Sequence, residues 1–309
     1  LEVRVRTGSR LHMGFLSSSG GPRPWAGIGL AVESPAVEVS STESVVQEVA
    51  AEREHAEVVS NALRSLGLGS VPLRVEVRAP RLHVGLGTTT QLMLATCTAV
   101  LRLIGREHDP VRIARTTGRG KRSWVGIGAF TRGGFVVDLG RRVDGWEHDL
   151  IALPFPEGWG VVLCVPRDAR GPDELQEGPA LEGFRLDPQQ VKELRSAAIG
   201  KVVPGLLGRD FREFCGGVEE VQRIVGDAFS HVQGGRFGAH SLKAVDALAS
   251  AGASGIGQSS WGPTVYGFFP STEEASRRSG QIQEELGEGW SVVVTRGRNR
   301  GAEVEVAGR

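Results

Sequence analysis

Residues 84–92 read VGLGTTTQL, and the stretches on either side decide how they are read. Upstream, VPLRVEVRA (71–79) alternates strictly, with Val71, Leu73, Val75 and Val77 on one side and Arg74, Glu76 and Arg78 on the other. A period of two marks a half-buried strand. Downstream, apolar residues recur at helical spacing from Gln91 to Ile104. A glycine turn between strand and helix lets the backbone at Gly85 and Gly87 approach a ligand closely. The helix that follows offers unpaired N–H groups and the positive end of its dipole. Thr88, Thr89 and Thr90 add hydroxyl donors. The outline is that of a phosphate cradle, with a tight turn capped by threonine as the alternative. Its spacing matches neither the GK[ST] ending of the P-loop nor the dinucleotide fingerprint.

Working outward, LEVRVR (1–6) alternates like a strand, and the loop FLSSSGGPRPWAG (15–27) leads to a second apolar strand, IGLAVE (28–33). Val45, Val46, Val49, Val58, Val59, Ala62, Leu63 and Leu66 fall at helical spacing and predict a helix over 44–66, with Gly67 as its C-cap. A second glycine-rich stretch, GRGKRSWVGIGAFTRGG (118–134), precedes the apolar run FVVDL. Near residues 154–159 the turn PFPEGW marks a change of character, followed by a strand at VVLCVP. Helices are expected over 188–207, 210–226 and 240–251, with a Gln-Gly-Gly turn at Gln233. The third glycine-rich stretch, GASGIGQSSWGPTVYGF (252–268), comes before a polar helix and a closing strand, WSVVVT. The pattern predicts an α+β protein of two lobes, 1–157 and 158–309, with glycine loops in both.

Charge narrows the partners. The chain carries 36 Lys+Arg against 36 Asp+Glu in 309 residues, so no net field draws it to a nucleic acid or an anionic membrane. No apolar run reaches the roughly 18 residues of a membrane span, and the first residues are a strand, not a signal peptide. Cys97, Cys164 and Cys215 are odd in number and outside any CxxC, so they read as core thiols of a reduced, cytoplasmic protein. Lysine occurs only at Lys121, Lys192, Lys201 and Lys243, so nearly every cation is a guanidinium. Codon usage of a GC-rich genome is the first reading of that bias; recognition of phosphate or carboxylate by some of the arginines is the other, and composition alone does not separate them.

Taken together, RLHMGFL, VGLGTTTQL, GIGAFTRGGFVVDLG, QGGRF and GQSSWGPTVYGF resemble, in order and over nearly the whole chain, one non-kinase branch of the GHMP superfamily. That branch is the β-ribofuranosylaminobenzene 5′-phosphate synthase family, with relatives that make C-nucleoside antibiotics of the formycin and pyrazofurin kind. The resemblance implies the two-lobe GHMP fold, its first lobe like ribosomal protein S5 domain 2 and its second ferredoxin-like. It also implies a magnesium-dependent transfer of phosphoribose from phosphoribosyl pyrophosphate to a ring carbon of an aromatic carboxylic acid, with loss of CO2 and pyrophosphate. The acceptor is 4-aminobenzoate or 4-hydroxybenzoate in methanopterin synthesis and an aminopyrazole carboxylate in the antibiotic branch. An ATP-dependent small-molecule kinase of the same fold is the alternative, and a silent binding module a third reading. One departure disfavours the kinase: where superfamily kinases carry Asp after the serine, Gly126 follows Ser123.

On that resemblance Gly85, Gly87, Thr88, Thr89 and Thr90 take pyrophosphate or its magnesium, and Gln91 is either a ligand donor or a first-turn helix residue. Arg10 and His12 leave the first strand toward the cleft, His12 as a donor or a core histidine. Arg23 and the bunch Arg119, Lys121 and Arg122 before Ser123 are candidate phosphate ligands or solvated loop charges. Asp138 is the expected carboxylate for magnesium, with Thr89, or for proton traffic; a turn cap is the other reading. Lys201 neutralises an anion or snorkels. Gln233, Gln258, Ser259, Ser260 and Trp261 are expected to form the acceptor wall, the indole as a stacking surface or as core. A homodimer is the expectation for assembly.

Overall fold

The computed structural model describes residues 1–143, 145–172 and 174–308. In chain order the elements are β1 (Glu2–Phe15), β2 (Gly27–Glu43), β3 (Glu48–Ala50), α1 (Arg53–Ser65), β4 (Leu73–Arg78), α2 (Thr88–Leu103), α3 (Pro110–Thr116), α4 (Val125–Thr131), β5 (Phe135–Arg141) and β6 (His148–Leu153). They continue as β7 (Gly160–Pro166), α5 (Glu174–Gly183), α6 (Pro188–Ala197), α7 (Val203–Gly208), α8 (Phe211–Gln233), α9 (Leu242–Ser250), β8 (Ser254–Gln258), β9 (Val265–Phe269), α10 (Thr272–Leu286), β10 (Trp290–Thr295) and β11 (Glu303–Ala307).

The first sheet runs β11-β1-β2-β4-β3, with β5 and β6 attached through β2. β2 is long enough to hold two neighbours on one edge: Glu38–Glu43 pair with β4, and Gly27–Leu30 pair with β5. A register shift between Thr7 and Ser9 reverses the sidedness of β1. Before it, Val3 and Val5 pack with α1 and α2; after it, Leu11 and Met13 turn to the second lobe. There they meet Phe155, Phe214, Val218 and Phe268, so the two lobes share one core. α8 reaches β1 at Gly14, where a Cβ would stand 2.8 Å from the Val221 side chain.

The second sheet, β10-β7-β9-β8, is antiparallel. Along β7 the period of two is clean. Val161 and Leu163 enter the shared core, and Val162 and Cys164 enter a second core under α9 and α10. The three cysteines are buried and unbonded to one another. Burial pushes the thiols of Cys97 and Cys164 up to about 12, which suits inert core residues. No helix among the described residues is long and apolar enough to cross a membrane.

Several local expectations are corrected. The helix predicted over 44–66 starts only at Arg53. Val45 and Val46 are solvent-exposed, and Val49 lies in β3, parallel to β4. The glycine-rich stretch after Ser123 contains a helix, α4, because Gly128 permits contact with β5: a Cβ there would meet Val136 at 2.7 Å. α8 continues past Gly226 to Gln233. A closing strand was also missed. β11 pairs with β1, so the chain's end returns to the first sheet, whereas a division at 157/158 assigns it to the second lobe. The return is anchored by Arg298, fully buried, which donates to Glu33 at 2.8 Å and Glu303 at 2.9 Å. Hydrogen bonds from Arg298 and Arg300 hold the Glu303 carboxyl down at about 2.

Candidate active site

Three segments distant in sequence are sewn together beside α2. Ser259 Oγ donates to the Gly85 carbonyl at 2.6 Å and accepts from the His12 amide at 3.0 Å. The Ser260 amide donates to the His12 carbonyl, the Arg10 amide to Leu86 and the Thr264 amide to Val84. Glycine is required at Gly85: its φ is +88°, and a Cβ would stand 2.6 Å from the Ser259 carbonyl oxygen. Gly87, left-handed, ends the loop as N-cap of α2, and the Arg10 side chain lies against it.

These segments bound an open cleft, lined by Arg10, His83, Thr89 and Arg119 together with Gly85, Gly87, Thr88, Thr90, Pro172 and the turn 260–262. Among the described residues that line it there is no carboxylate. Arg119 Nε donates to Thr90 Oγ1 at 3.2 Å, and Thr88 Oγ1 to the Arg81 carbonyl at 3.2 Å. Two arginines, hydroxyls and the N-terminus of a 16-residue helix make this half of the cleft a candidate anion site. His83 and Ser260, both on its wall, are left-handed without being glycine, the kind of backbone strain that collects at functional sites.

Ser260 and Trp261 also border a second, narrower chamber. One stripe of α8 lines it, with Gln222, Val225, Gly226, Phe229 and Gln233 at helical spacing; His12, Phe15, Gln258 and Arg236 complete it. The rings form a connected wall. Phe184 stacks on Phe229 at 4.2 Å, Phe229 meets Trp261 edge-on at 4.6 Å, and His12 lies 4.6 Å from Phe15. Three glutamines knit the floor: Gln222 Oε1 accepts from the Gln258 amide, and Gln258 Nε2 donates to Gln233 Oε1 at 3.2 Å. Burial, aided by the nearby Arg10 charge, pulls the His12 imidazole down to about 3, so it is neutral.

Of the residues singled out from sequence, Arg10, Gly85, Gly87, Thr88, Thr89, Thr90, Ser260 and Trp261 border the anion site, and His12, Gln233 and Gln258 the ring-lined chamber. Ser259 is wholly buried as the stitch between the segments. The others are placed elsewhere. Gln91 is buried as a structural bridge, accepting from Thr7 Oγ1 and donating to the Gly126 carbonyl. Asp138 is fully buried. Its carboxylate accepts from the amides of Trp124 and Gly140 at 2.7 and 2.9 Å and lies 2.7 Å from His148 Nδ1, so it does not fit a magnesium ligand. Arg23 is paired with Asp149 at 2.7 Å, Lys201 with Glu220 at 2.6 Å on the surface, and Ser123 Oγ accepts from the Val125 amide. Arg122 lies near Gly178 and lines neither chamber. Sequence reasoning passed over Phe229, Gln222 and Arg236; the α8 stripe 222–226–229–233 was the available signal. His83, also passed over, and Arg119, one of the candidate phosphate ligands, complete the lining of that cleft.

A family profile described as GHMP kinases C terminal matches residues 204–288. Among solved structures, homoserine kinase from Cytophaga hutchinsonii has a TM-score of 0.66 at 19% identity over 98% of this chain and 97% of its own. Mevalonate diphosphate decarboxylase from Enterococcus faecalis has a TM-score of 0.69 at 12% identity over 99% of each chain. These likenesses show the GHMP fold. A β-ribofuranosylphenol 5′-phosphate synthase from Archaeoglobus fulgidus is 30% identical over 98% of this chain and 100% of its own. The chain belongs to the β-ribofuranosylphenol 5′-phosphate synthase family. The synthase of the same name from Methanothermobacter thermautotrophicus is 29% identical over 98% of each chain. For a member of this synthase family the position of Gly126 is informative. It stands beside Thr90 and Arg10, with 3.4 Å from its Cβ position to the nearest Thr90 carbon, so this wall of the cleft bears no side chain there.

Proposed function

We propose that the protein transfers 5-phosphoribose from phosphoribosyl pyrophosphate to a ring carbon of an aromatic or heteroaromatic carboxylic acid, releasing pyrophosphate and CO2. The observation that carries the reading is a cleft with two arginines at the N-terminus of α2 and a ring-lined chamber, the two meeting at Ser260 and Trp261. The donor's diphosphate occupies the α2 N-terminus with Arg10 and Arg119, and the acceptor ring lies along Phe229 and Trp261.

In the transfer, the C1′–O bond breaks with its electron pair leaving on pyrophosphate. A π pair of the ring carbon bearing the carboxylate forms the new C–C bond to C1′. The pair of the C–CO2 bond then returns to the ring as CO2 departs, and no proton is gained or lost overall. Arginines and helix N–H groups stabilise charge developing on the leaving group. On the other side, the aromatic faces favour the cationic ring adduct. A neutral His12 adds no opposing positive charge beside the oxocarbenium-like carbon.

Of the expected pair, Thr89 lines the cleft and would face a magnesium counter-ion of the diphosphate, whereas Asp138, its oxygens taken by Trp124, Gly140 and His148, does not fit as a ligand. The decisive assay mixes the protein with phosphoribosyl pyrophosphate, magnesium and 4-hydroxybenzoate, 4-aminobenzoate or an aminopyrazole dicarboxylate. Equal yields of pyrophosphate and CO2 are expected with one of these acids. No turnover with any of them, together with ADP formation from ATP and a small alcohol, overturns the reading in favour of the kinase.

A further inference from the structure

Arg236 has a seat built for it at the ring-lined chamber. It follows the turn that ends α8, and its main chain and stem lie directly on that helix at Gly226. A Cβ there would come within 2.5 Å of the Arg236 carbonyl oxygen and 2.6 Å of its Cγ. Asp227, the next residue on the helix, takes Nε and Nη2 of the guanidinium on its two oxygens at 2.9 and 3.2 Å. Gln233 Nε2 donates to the Arg236 carbonyl at 2.8 Å. A glycine notch, a bidentate clamp and an amide thus fix a half-exposed side chain at the chamber's border. The clamp engages Nε and Nη2; Nη1 is outside it. Among the described residues lining this chamber Arg236 is the one cation, because His12 is neutral.

We propose that Arg236 is the residue that recognises the carboxylate of the acceptor and so selects acids over neutral rings; the inference rests on the C-ribosyl transfer reading above. A planar guanidinium oriented on one edge presents donors in the geometry a carboxylate accepts. Its partial neutralisation by Asp227 lets it orient the acid without holding it strongly against loss as CO2.

The test compares 4-hydroxybenzoate with its neutral isostere 4-hydroxybenzamide by titration calorimetry, in the presence of pyrophosphate and magnesium. The unsubstituted protein is expected to prefer the acid by about tenfold or more, as for a charge-assisted contact. Arg236→Gln should erase the preference by weakening acid binding alone, and Arg236→Lys, which keeps charge but loses the fork, should keep part of it. Affinity for phosphoribosyl pyrophosphate should move less than about twofold in both. If Arg236→Gln weakens acid and amide equally, the side chain only braces the turn and the inference fails while the proposed function stands. If the unmodified protein turns over no aromatic acid and binds neither ring, both fail together.

Discussion

His12 offers a quantitative test of how the chamber is built. The imidazole is 4% exposed, and burial beside Arg10 holds it at about 3, against about 6.5 in an unfolded chain. Because the native pKa is lowered, the folded protein refuses a proton that the unfolded chain accepts. Stability from this source is complete above about pH 6.5 and is lost as pH falls from there toward 3. One pKa unit corresponds to about 1.4 kcal/mol, so moving from pH 7 to pH 5 should cost about 2 kcal/mol. That figure changes little for any native value below about 4, since the native imidazole is then almost wholly neutral at pH 5. The perturbation is His12→Asn, which keeps a polar side chain and cannot titrate. Urea unfolding of both proteins at pH 5, 6, 7 and 8 gives two stability profiles. Titrations common to both cancel in their difference. The wild-type profile should fall more steeply, by about 2 kcal/mol over pH 7 to 5. Parallel profiles would mean that His12 is solvated or charged in the native cleft, and the account of a neutral imidazole beside the ring-lined chamber would be wrong.

Other substitutions separate the cleft from its supports. Gly85→Ala forces a Cβ toward the Ser259 carbonyl oxygen at positive φ, so it should cost about 1–3 kcal/mol in chemical denaturation. It should also abolish measurable phosphoribosyl pyrophosphate binding; retained affinity would remove the loop from the anion site. Asp138→Asn leaves at least one buried donor without an acceptor and should lower stability by about 2–4 kcal/mol. The magnesium concentration giving half-maximal activity should stay unchanged, and a selective rise would restore Asp138 as a ligand. Lys201→Met breaks a surface pair and should leave kcat/KM within about twofold, whereas a tenfold loss would show that the exposed lysine acts in the reaction.

How much of this was legible in sequence depended on the range of the interaction. The cradle at 84–92 is local: glycine at left-handed φ and a helix N-terminus within three residues are consequences of neighbouring chemistry, and both stand in the structure. So is the alternation in β4, since a strand's period needs no distant partner. The placement of Arg10, the threonines and Trp261 beside one cleft followed from the motif resemblance. The roles of polar residues in the interior were not. Asp138 and Gln91 looked like ligands because they are polar beside apolar runs, but His148, Trp124, Thr7 and Gly126 had to be folded against them before their hydrogen bonds were visibly consumed. Lys201 and Arg23 were claimed by carboxylates 19 and 126 residues away. The return of β11 to β1 and the burial of Arg298 likewise depend on pairings across nearly the whole chain. Sequence by itself determined the glycine turn before α2 and the strand and helix periods, because backbone conformation and hydrophobic pattern are short-range properties; the family came from the likeness of ordered motifs along the chain. Only the tertiary structure decided which polar groups remain available to a substrate, because a hydrogen-bonding atom's partner is chosen by three-dimensional proximity and not by position along the chain.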